Sequence, residues 1–283
     1  MTSPDILLTD QVAIVTGGAN GLGASIAINF ARSGADVVIA DIDTDNANET
    51  AEAIRAHGRR ALVVQTDVTD HEQVVAMVDQ ASTHFGRIDI LVNNAGGTRQ
   101  KSFMTQSERS WRRLIDLNLV SMLSATSAAT EVMIRSGRGG TVINIASSEG
   151  LRAAPGYAVY AACKAGMISF TRSMSLELSE YGIRVFALAP DMIMTPGLKP
   201  FFDAATPAEA DARARYIPLG RIGVPDEVGK VAAFLASDMA SYLTGVTLPI
   251  DGGTIASSGW NRMPSGEWSL YHEFVQPAPG QKG

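Results

Sequence analysis

The stretch "VAIVTGGANGLG", residues 12–23, joins a short β-branched run to a glycine-rich turn and then to a helical pattern. Glycine lets the backbone turn tightly and approach a ligand, and a helix N-terminus offers free N–H groups and a partial positive charge. An acidic residue, Asp41, ends the next β-branched run. We therefore predict a strand–turn–helix unit that binds the pyrophosphate of a dinucleotide, with Gly17, Gly21 and Gly23 in the turn.

Asp41 indicates which dinucleotide is bound. A carboxylate at this point accepts hydrogen bonds from ribose hydroxyls and repels a 2′-phosphate. Neither Arg nor Lys occurs at the neighbouring positions Gly18, Ala19, Asn20 and Ile42. Because a phosphate site needs a cation, we expect NAD rather than NADP. A role for Asp41 in capping the next helix is less favoured, since Asp43 and Thr44 are better placed for it.

Seven β-branched runs alternate with segments of helical spacing along the chain. They begin at Val12, Val37, Ala61, Ile88, Thr141, Ile183 and Val246. Strand followed by helix, repeated, indicates βαβ units, and strands that are nearly all apolar indicate a parallel sheet covered on both faces. We predict one doubly wound, Rossmann-like α/β domain over residues 1–253 with a seven-stranded parallel sheet. The capping-box-like "TDHE", residues 69–72, predicts the start of a helix.

Two segments interrupt this alternation. Residues 191–224 are broken by Pro and Gly and are too long for an ordinary connection, so we expect a substrate lid. Residues 254–283 form an extension that carries Trp260, Trp268, Tyr271 and Phe274 before a polar tail. We expect these aromatic residues to dock, either over a substrate cleft or on the surface, and the end of the tail to be disordered.

Composition restricts the partners of the chain. It has 283 residues, 46% of them hydrophobic, and a net charge of −6 without a run of Lys or Arg, which argues against nucleic acid and membrane as partners. The N-terminal residues lack a basic leader region and no apolar run approaches about 20 residues, so we expect a cytoplasmic protein. The single cysteine, Cys163, excludes an intrachain disulfide and gives no support for a metal site.

The stretch "PGYAVYAACKAG", residues 155–166, carries two tyrosines upstream of one lysine. In a helix, Tyr160 and Lys164 are neighbours on one face, whereas Tyr157 lies two turns from the lysine. A phenol with a pKa near 10 is a poor base at neutral pH, and a nearby ammonium stabilises its phenolate. Both spacings suit catalysis, so the spacing alone leaves the choice of tyrosine open.

Over residues 10–253 the chain resembles the short-chain dehydrogenase/reductases of the compact, single-domain branch. The resemblance is carried by "TGGANGLG" (16–23), "TDV" (66–68), "NNAG" (93–96), "YAACK" (160–164) and "PIDGG" (249–253). It implies a catalytic tetrad of Asn118, Ser147, Tyr160 and Lys164, with Ser148 as a poorer match than Ser147. Taken singly, Asn118 and Ser147 are also explained by local hydrogen bonding.

The resemblance also implies roles for these residues. Tyr160 would move the proton of the substrate hydroxyl, Ser147 would hold the substrate oxygen, and Lys164 would bind the nicotinamide ribose and stabilise the phenolate. Asn118 would position a relay water. The cofactor contacts implied are Gly17, Asn20, Gly21, Leu22, Gly23, Asp41, Ile42, Asp67, Val68, Asn94, Ala95, Gly96, Tyr160, Lys164, Pro190, Ile193 and Thr195.

One position departs from the family pattern. Asp191 follows Pro190 where the family usually has Gly. Asp is among the few residues that tolerate a left-handed backbone, so it would either adopt that conformation or place a carboxylate near the nicotinamide.

The predicted substrate pocket is apolar and adaptable. It comprises Ser147, Leu151, Tyr157, Met192, Phe201 and Phe202. These residues favour a hydrophobic, cyclic secondary alcohol or ketone. Alternatively, Arg99, Lys101 and Arg152 would receive an acidic group.

We therefore expect an NAD-dependent short-chain alcohol dehydrogenase/ketone reductase. A homotetramer is expected, because family members pair the long helices around Asn118 and Tyr160. The alternatives are an enoyl reductase that uses Tyr157 and a non-catalytic NAD-binding scaffold, and the intact tetrad argues against the scaffold.

Overall fold

The computed structural model describes residues 7–270, and Tyr271, Phe274 and the predicted disordered tail lie outside them. Its central element is a seven-stranded parallel sheet in the order β3-β2-β1-β4-β5-β6-β7. The strands are β1 Val12–Thr16, β2 Asp36–Asp41, β3 Ala61–Gln65, β4 Ile90–Asn93, β5 Gly140–Ile145, β6 Ile183–Pro190 and β7 Thr247–Ile250. The predicted doubly wound sheet is thus confirmed, and the strand order reverses between β1 and β4.

Helices cover both faces of the sheet. They are α1 Gly21–Arg32, α2 Thr44–Arg55, α3 His71–Phe85, α4 Glu108–Ile115, α5 Ser121–Ser136, α6 Ala158–Glu177, α7 Lys199–Asp203, α8 Pro207–Tyr216, α9 Pro225–Ala236 and α10 Thr254–Ser257. Successive β1 residues belong to opposite cores: Ala13 packs with α1, α2 and α9, whereas Ile14 packs with α3 and α5. Both faces of the inner strands β1, β2, β4, β5 and β6 are therefore buried, which explains their continuous apolar runs, whereas the edge strands β3 and β7 are only partly buried.

Helix α3 begins one residue later than the predicted capping box. Its N-cap is Asp70, whose carboxylate accepts hydrogen bonds from the backbone N–H groups of Glu72 at 3.0 Å and Gln73 at 3.3 Å. The Gln73 amide also donates to Asp70 at 2.9 Å. The cap predicted at Thr69 was wrong because Asp is the better cap and Gln73 occupies the third helical position.

Helices α4 and α5 form one stretch, because residues Asp116–Val120 continue the helix with π-type hydrogen bonding. By length and composition alone this stretch, Glu108–Ser136, is able to cross a bilayer. Half of its apolar window is buried within the molecule, where α5 packs against α3 and the sheet. Burial of that kind is typical of a core helix.

The two segments that break the alternation have structure of their own. Residues 191–224, here called the lid segment, contain α7 and α8. Beyond α10, two short antiparallel strands, β8 Asn261–Arg262 and β9 Trp268–Ser269, form a second sheet that the sequence did not predict. Strand β8 packs against α8, and the Arg262 guanidinium lies 5.0 Å from the ring centre of Trp268. The described part of the extension thus docks on the lid segment.

Two helical glycines give a matched test of the packing. A Cβ on Gly229 of α9 would lie 2.8 Å from the Ser25 carbonyl oxygen of α1, whereas one on Gly166 of α6 would lie 3.6 Å from Leu119. We expect Gly229→Ala to lower the free energy of unfolding by about 2 kcal/mol through overpacking. Gly166→Ala should leave it unchanged or raise it by up to about 1 kcal/mol, because Ala is the better helix former. Urea denaturation measures both, and equal stabilities of the two variants would contradict this packing.

Candidate active site

A cavity of about 520 Å³ lies at the carboxyl ends of the strands, at the point where the strand order reverses. This is where open α/β sheets bind their ligands. The predicted cofactor residues that line it are Gly17, Asn20, Leu22, Asp41, Ile42, Asp67, Val68, Asn94, Ala95, Gly96, Tyr160, Lys164 and Pro190. The fold therefore gathers residues from many parts of the chain around one cavity.

Four predicted cofactor residues do not line this cavity. A Cβ on Gly23 would lie 2.0 Å from the Gly17 carbonyl oxygen, so Gly23 permits the turn to pack on its own helix. Gly21 has φ +56°, and Thr195 lies 3.5 Å from the place its Cβ would take. Ile193 is buried and pairs with Gly223. These residues thus support the backbone around the cavity without lining it.

Sequence reasoning missed six other residues that line the cavity. They are Ala40, Thr66, Gly97, Leu117, Ile145 and Ala146. Most of them directly flank a predicted residue at a strand end. Their side chains are mostly small or apolar, so only the rule that strand ends line such a cavity would have found them.

The N-terminus of α1 suits an anionic ligand. Its N-cap, Asn20, makes no side-chain cap hydrogen bond, whereas α2 and α3 are capped by Asp43 and Asp70. The first turn of α1 also contains no acidic residue. Its N–H groups and its partial positive charge therefore fit a pyrophosphate, and the left-handed Gly17, with φ +63°, provides the turn that leads to them.

The carboxylate of Asp41 lines the cavity at the end of β2, three strands away from β5, which Ser147 follows, and it is held in a fixed orientation. One oxygen accepts a hydrogen bond from the Ala19 backbone N–H at 3.0 Å, and the other accepts one from the Asp43 N–H at 3.0 Å. Asp43 is the N-cap of α2. Asp41 is therefore left to line the cavity, as expected for a group that contacts ribose hydroxyls.

The "NNAG" segment braces the glycine-rich turn. The side-chain amide of Asn94 donates to the backbone oxygens of Thr16 at 3.0 Å and Gly17 at 2.9 Å. Asn93 points the other way, into the core, and donates to Asn144 of the neighbouring strand at 2.8 Å. The two adjacent asparagines thus connect β4 to the turn on one side and to β5 on the other.

Tyr160 and Lys164 lie together on α6, as their spacing predicts. The Lys164 Nζ is 5.5 Å from the ring centre of Tyr160 and donates to the Ile145 carbonyl oxygen at 2.7 Å. The lysine is only 3% exposed. Burial lowers its pKa to about 8, so the ammonium still predominates at neutral pH.

The environment of Tyr160 opposes ionisation of its phenol. Burial is the main cause that raises the pKa of Tyr160, and the negative charge of Glu149 raises it further. Hydrogen bonding to the Ser147 hydroxyl lowers it. The hydrogen bond from Ser147 alone does not offset burial and Glu149, because the pKa is raised on balance. Ionisation of Tyr160 therefore requires a positive charge nearby.

Ser147 and Ser148 have different positions. Ser147 lines the cavity, and its Oγ accepts a hydrogen bond from the Glu149 N–H at 3.2 Å. Ser148 is fully buried, and its hydroxyl donates to the Ala189 carbonyl oxygen at 3.3 Å. Only Ser147 is placed to contact a ligand beside Tyr160.

Asn118 lies in the π-helical turn and is fully buried. Its amide group donates to the carbonyl oxygens of Gly97 at 2.9 Å and Leu114 at 3.0 Å, and its oxygen accepts from the Gly97 N–H at 2.9 Å. A Cβ on Gly96 would lie 2.8 Å from the Asn118 oxygen and 3.5 Å from Lys164 Nζ. Gly96 thus allows Asn118 and Lys164 to approach the same point. The π-type turn was not foreseen, and such turns are frequent at functional sites.

Asp191 does not adopt the left-handed conformation. The described non-glycine residues with positive φ are Asp10 and Ser258. Instead, its carboxylate lines the cavity and pairs with Arg152 at 3.0 Å. Arg152 also pairs with Glu149 at 2.7 Å, so it is not available to receive an acidic substrate group as one alternative supposed.

The other predicted substrate residues are not gathered around this cavity. Met192 lines a neighbouring cavity between the lid segment and β7. Leu151 and Phe201 are 40% and 67% exposed. Tyr157 and Phe202 are partly buried, and neither is among the residues that line the main cavity. A substrate wall formed by these side chains stays a prediction.

The fold, the uncapped helix above a glycine-rich turn and the serine, tyrosine and lysine at one end of the cavity define a dinucleotide-binding oxidoreductase. A family model described as enoyl-(acyl carrier protein) reductase matches residues 17–254. The 3-oxoacyl-[acyl-carrier-protein] reductase FabG of Chlamydia trachomatis serovar D is 41% identical, over 87% of this chain and 98% of its own. The 3beta-hydroxysteroid dehydrogenase 1 of Eggerthella lenta is 39% identical, over 89% and 97%.

A solved structure agrees with these relatives. The short-chain type dehydrogenase/reductase from Mycobacterium marinum superposes with a TM-score of 0.82 at 33% identity, over 88% of this chain and 97% of its own. The chain belongs to the short-chain dehydrogenase/reductase superfamily. It is an oxidoreductase of a family that binds a nicotinamide cofactor.

Proposed function

We propose that the protein is a cytoplasmic, NAD-dependent enzyme that interconverts a hydrophobic, cyclic secondary alcohol and its ketone. The observation that carries the proposal is the placement of Ser147, Tyr160 and Lys164 around the same cavity as Asp41. An alcohol or ketone oxygen beside Ser147 and Tyr160 would meet two hydroxyl groups there. When bound, the nicotinamide supplies or accepts the hydride.

The protein residues manage the proton. Tyr160 removes the hydroxyl proton of an alcohol, or donates a proton to a ketone oxygen in the reverse direction. Ser147 donates a hydrogen bond to the same oxygen as negative charge develops on it. Because burial raises the pKa of Tyr160, the ammonium of Lys164 is needed to stabilise the phenolate. Asn118 holds the backbone of Gly97 at the edge of the cavity.

The choice of NAD is supported by the fixed carboxylate of Asp41. Both of its oxygens accept backbone hydrogen bonds, so the carboxylate is held in one orientation where it lines the cavity. Ribose hydroxyls donate to such a group, and a 2′-phosphate is repelled by it. The neighbouring Ile42 offers no positive charge.

The substrate class is supported by the name of one of the relatives. The Eggerthella lenta relative is named for a steroid alcohol. A second candidate is a substrate that also bears an acidic group. Arg99, Lys101 and Arg113 line a cavity of about 610 Å³ that shares Gly97 and Leu117 with the main cavity, and among residues 7–270 none of the three has an acidic partner.

Reduction of a carbon–carbon double bond through Tyr157 is the rival chemistry, and the matching family model bears the name of such an enzyme. Tyr157 precedes the first residue of α6 and lies outside the lining of the main cavity, whereas Tyr160 is within it. This difference favours Tyr160. The same placement disfavours a non-catalytic scaffold, because all four tetrad residues are close together.

A homotetramer is supported by an apolar groove on the outer face of α4 and α6. It is lined by Phe103, Trp111, Ile115, Leu119, Ala158, Val159, Ala162 and Cys163. Two of these large side chains, Phe103 and Ile115, are exposed in the single chain. A second copy would cover this surface, and light scattering gives the mass that decides it.

Replacing Tyr160 tests the mechanism. We expect Tyr160→Phe to lower kcat for any alcohol in a panel of cyclic, steroidal, terpenoid and hydroxy-acid substrates by at least about 10³-fold, because the proton carrier is lost. NADH affinity should stay within about threefold of wild type. Tyr157→Phe is the matched control and should keep most of the activity. Normal turnover by Tyr160→Phe, or selective loss in Tyr157→Phe, would refute the assignment.

Replacing Asp41 tests the cofactor choice separately. Wild type should bind NADH at least about tenfold more tightly than NADPH, because the carboxylate repels the 2′-phosphate. Asp41→Asn should reduce this preference by improving NADPH binding, without changing the Tyr160 chemistry. Fluorescence titration of both cofactors measures the ratio, and tighter binding of NADPH by wild type would be the adverse result.

A further inference from the structure

The side chain of Arg152 connects three segments around the catalytic end of the cavity. Its Nη2 donates to Glu149 at 2.7 Å, in the turn after β5, and to Asp191 at 3.0 Å, at the end of β6. Its Nη1 donates to the Tyr216 hydroxyl at 2.9 Å, in the last residue of α8. One guanidinium therefore connects the turn after β5, residues 147–150 and here called the catalytic turn, to the end of β6 and to the lid segment.

Asp191 completes this network. Its side chain is 7% exposed, and its second carboxylate oxygen accepts a hydrogen bond from the hydroxyl of Thr254, the first residue of α10. Both oxygens of a nearly buried carboxylate are thus bonded, as burial of a charge requires. A glycine at this position, as the family usually has, would leave Arg152 with Glu149 as its only acidic partner among residues 7–270.

The network also determines the charge near Tyr160. Burial raises the pKa of the phenol most, and the charge of Glu149 raises it further, as does Cys163 to a smaller extent. Arg152 compensates Glu149, but Asp191 competes for the same nitrogen of that guanidinium. The charge that Tyr160 experiences therefore depends on how Arg152 is shared between two carboxylates.

We infer that Arg152 and Asp191 are positioning residues, which together set the electrostatic environment of Tyr160 and attach the lid segment to the catalytic turn. The inference rests on the proposed role of Tyr160 as the proton carrier. The other groups that face or surround the phenol are Lys164 and Cys163 on its own helix and Ser147 on the turn. These groups are left unchanged in the variants that follow.

Two substitutions break the same ion pair but change the charge in opposite directions. Arg152→Met leaves Glu149 uncompensated and should raise the apparent pKa of Tyr160 by about half a unit to one unit. Asp191→Asn removes the competing negative charge, so the Arg152 guanidinium compensates Glu149 more fully and this pKa should fall by a few tenths of a unit. If the pair were merely structural, the two variants would shift the pKa in the same direction or leave it unchanged.

The ionisation of Tyr160 is measured by phenolate absorbance against pH, in the presence and absence of NAD⁺, with the Tyr160→Phe titration subtracted. No substrate is needed, so a failed alcohol panel and a failed inference are distinguishable. Arg221→Met is the control for loss of an arginine ion pair: it breaks the more exposed pair with Glu227, in which nitrogen and oxygen are 2.6 Å apart, and neither residue lines the main cavity. It should leave the pKa of Tyr160 unchanged. Shifts in one direction for both pair variants, or none for Arg152→Met, would overturn the inference.

The attachment of the lid segment is tested with conservative variants that fold. Tyr216→Phe removes only the hydrogen bond with Arg152. It should raise the KM for the alcohol that the panel identifies as a substrate several-fold, without moving the pKa of Tyr160. Arg152→Lys keeps the charge and should restore the pKa, but it should retain the KM defect because lysine lacks the planar fork. An unchanged KM in both variants would refute the attachment.

Discussion

A buried ammonium beside a phenol is the interaction on which this site depends. Lys164 is almost fully buried, which destabilises its ammonium form and lowers its pKa to about 8. One hydrogen bond to the Ile145 carbonyl oxygen offsets part of that cost. Burial also disfavours the anion of Tyr160, so in the proposed mechanism the Lys164 ammonium, 5.5 Å from the centre of the phenol ring, has to stabilise the phenolate.

The fold provides that fixation through close backbone approaches. A Cβ on Gly150 would lie 2.8 Å from the carbonyl carbon of Lys164, so this glycine allows the catalytic turn to lie directly against α6. Gly96, which follows β4, likewise allows the backbone to lie close to the side chain of Asn118. The glycine-rich turn shapes the phosphate end in the same way. The sheet geometry and these small residues together explain how groups far apart in sequence come to line one cavity.

Much of this was predictable from the sequence, and the failures have physical reasons. The seven strands follow from periodicity, and the proximity of Tyr160 and Lys164 follows from their helical spacing. The place of Ser147 beside them was implied only by the family resemblance. The π-type turn at Asn118 and the pairing of Arg152 with Asp191 depend on contacts between distant segments, which no local pattern records. The N-cap of α3 is Asp70, one residue after the predicted Thr69, because both residue types are good helix caps and the local pattern did not distinguish them. Phe201 was predicted to line the substrate pocket because it is apolar, but its side chain is exposed and does not line the main cavity.

The most direct test of the account follows a label from the cofactor to the product. An α,β-unsaturated cyclic ketone such as cyclohex-2-enone offers a carbonyl and a carbon–carbon double bond in one molecule. With NADH deuterated at C4 of the nicotinamide, the account predicts deuterium on the carbinol carbon of an allylic alcohol. Deuterium on the carbon β to an intact carbonyl, read by NMR, would contradict it and indicate double-bond reduction instead.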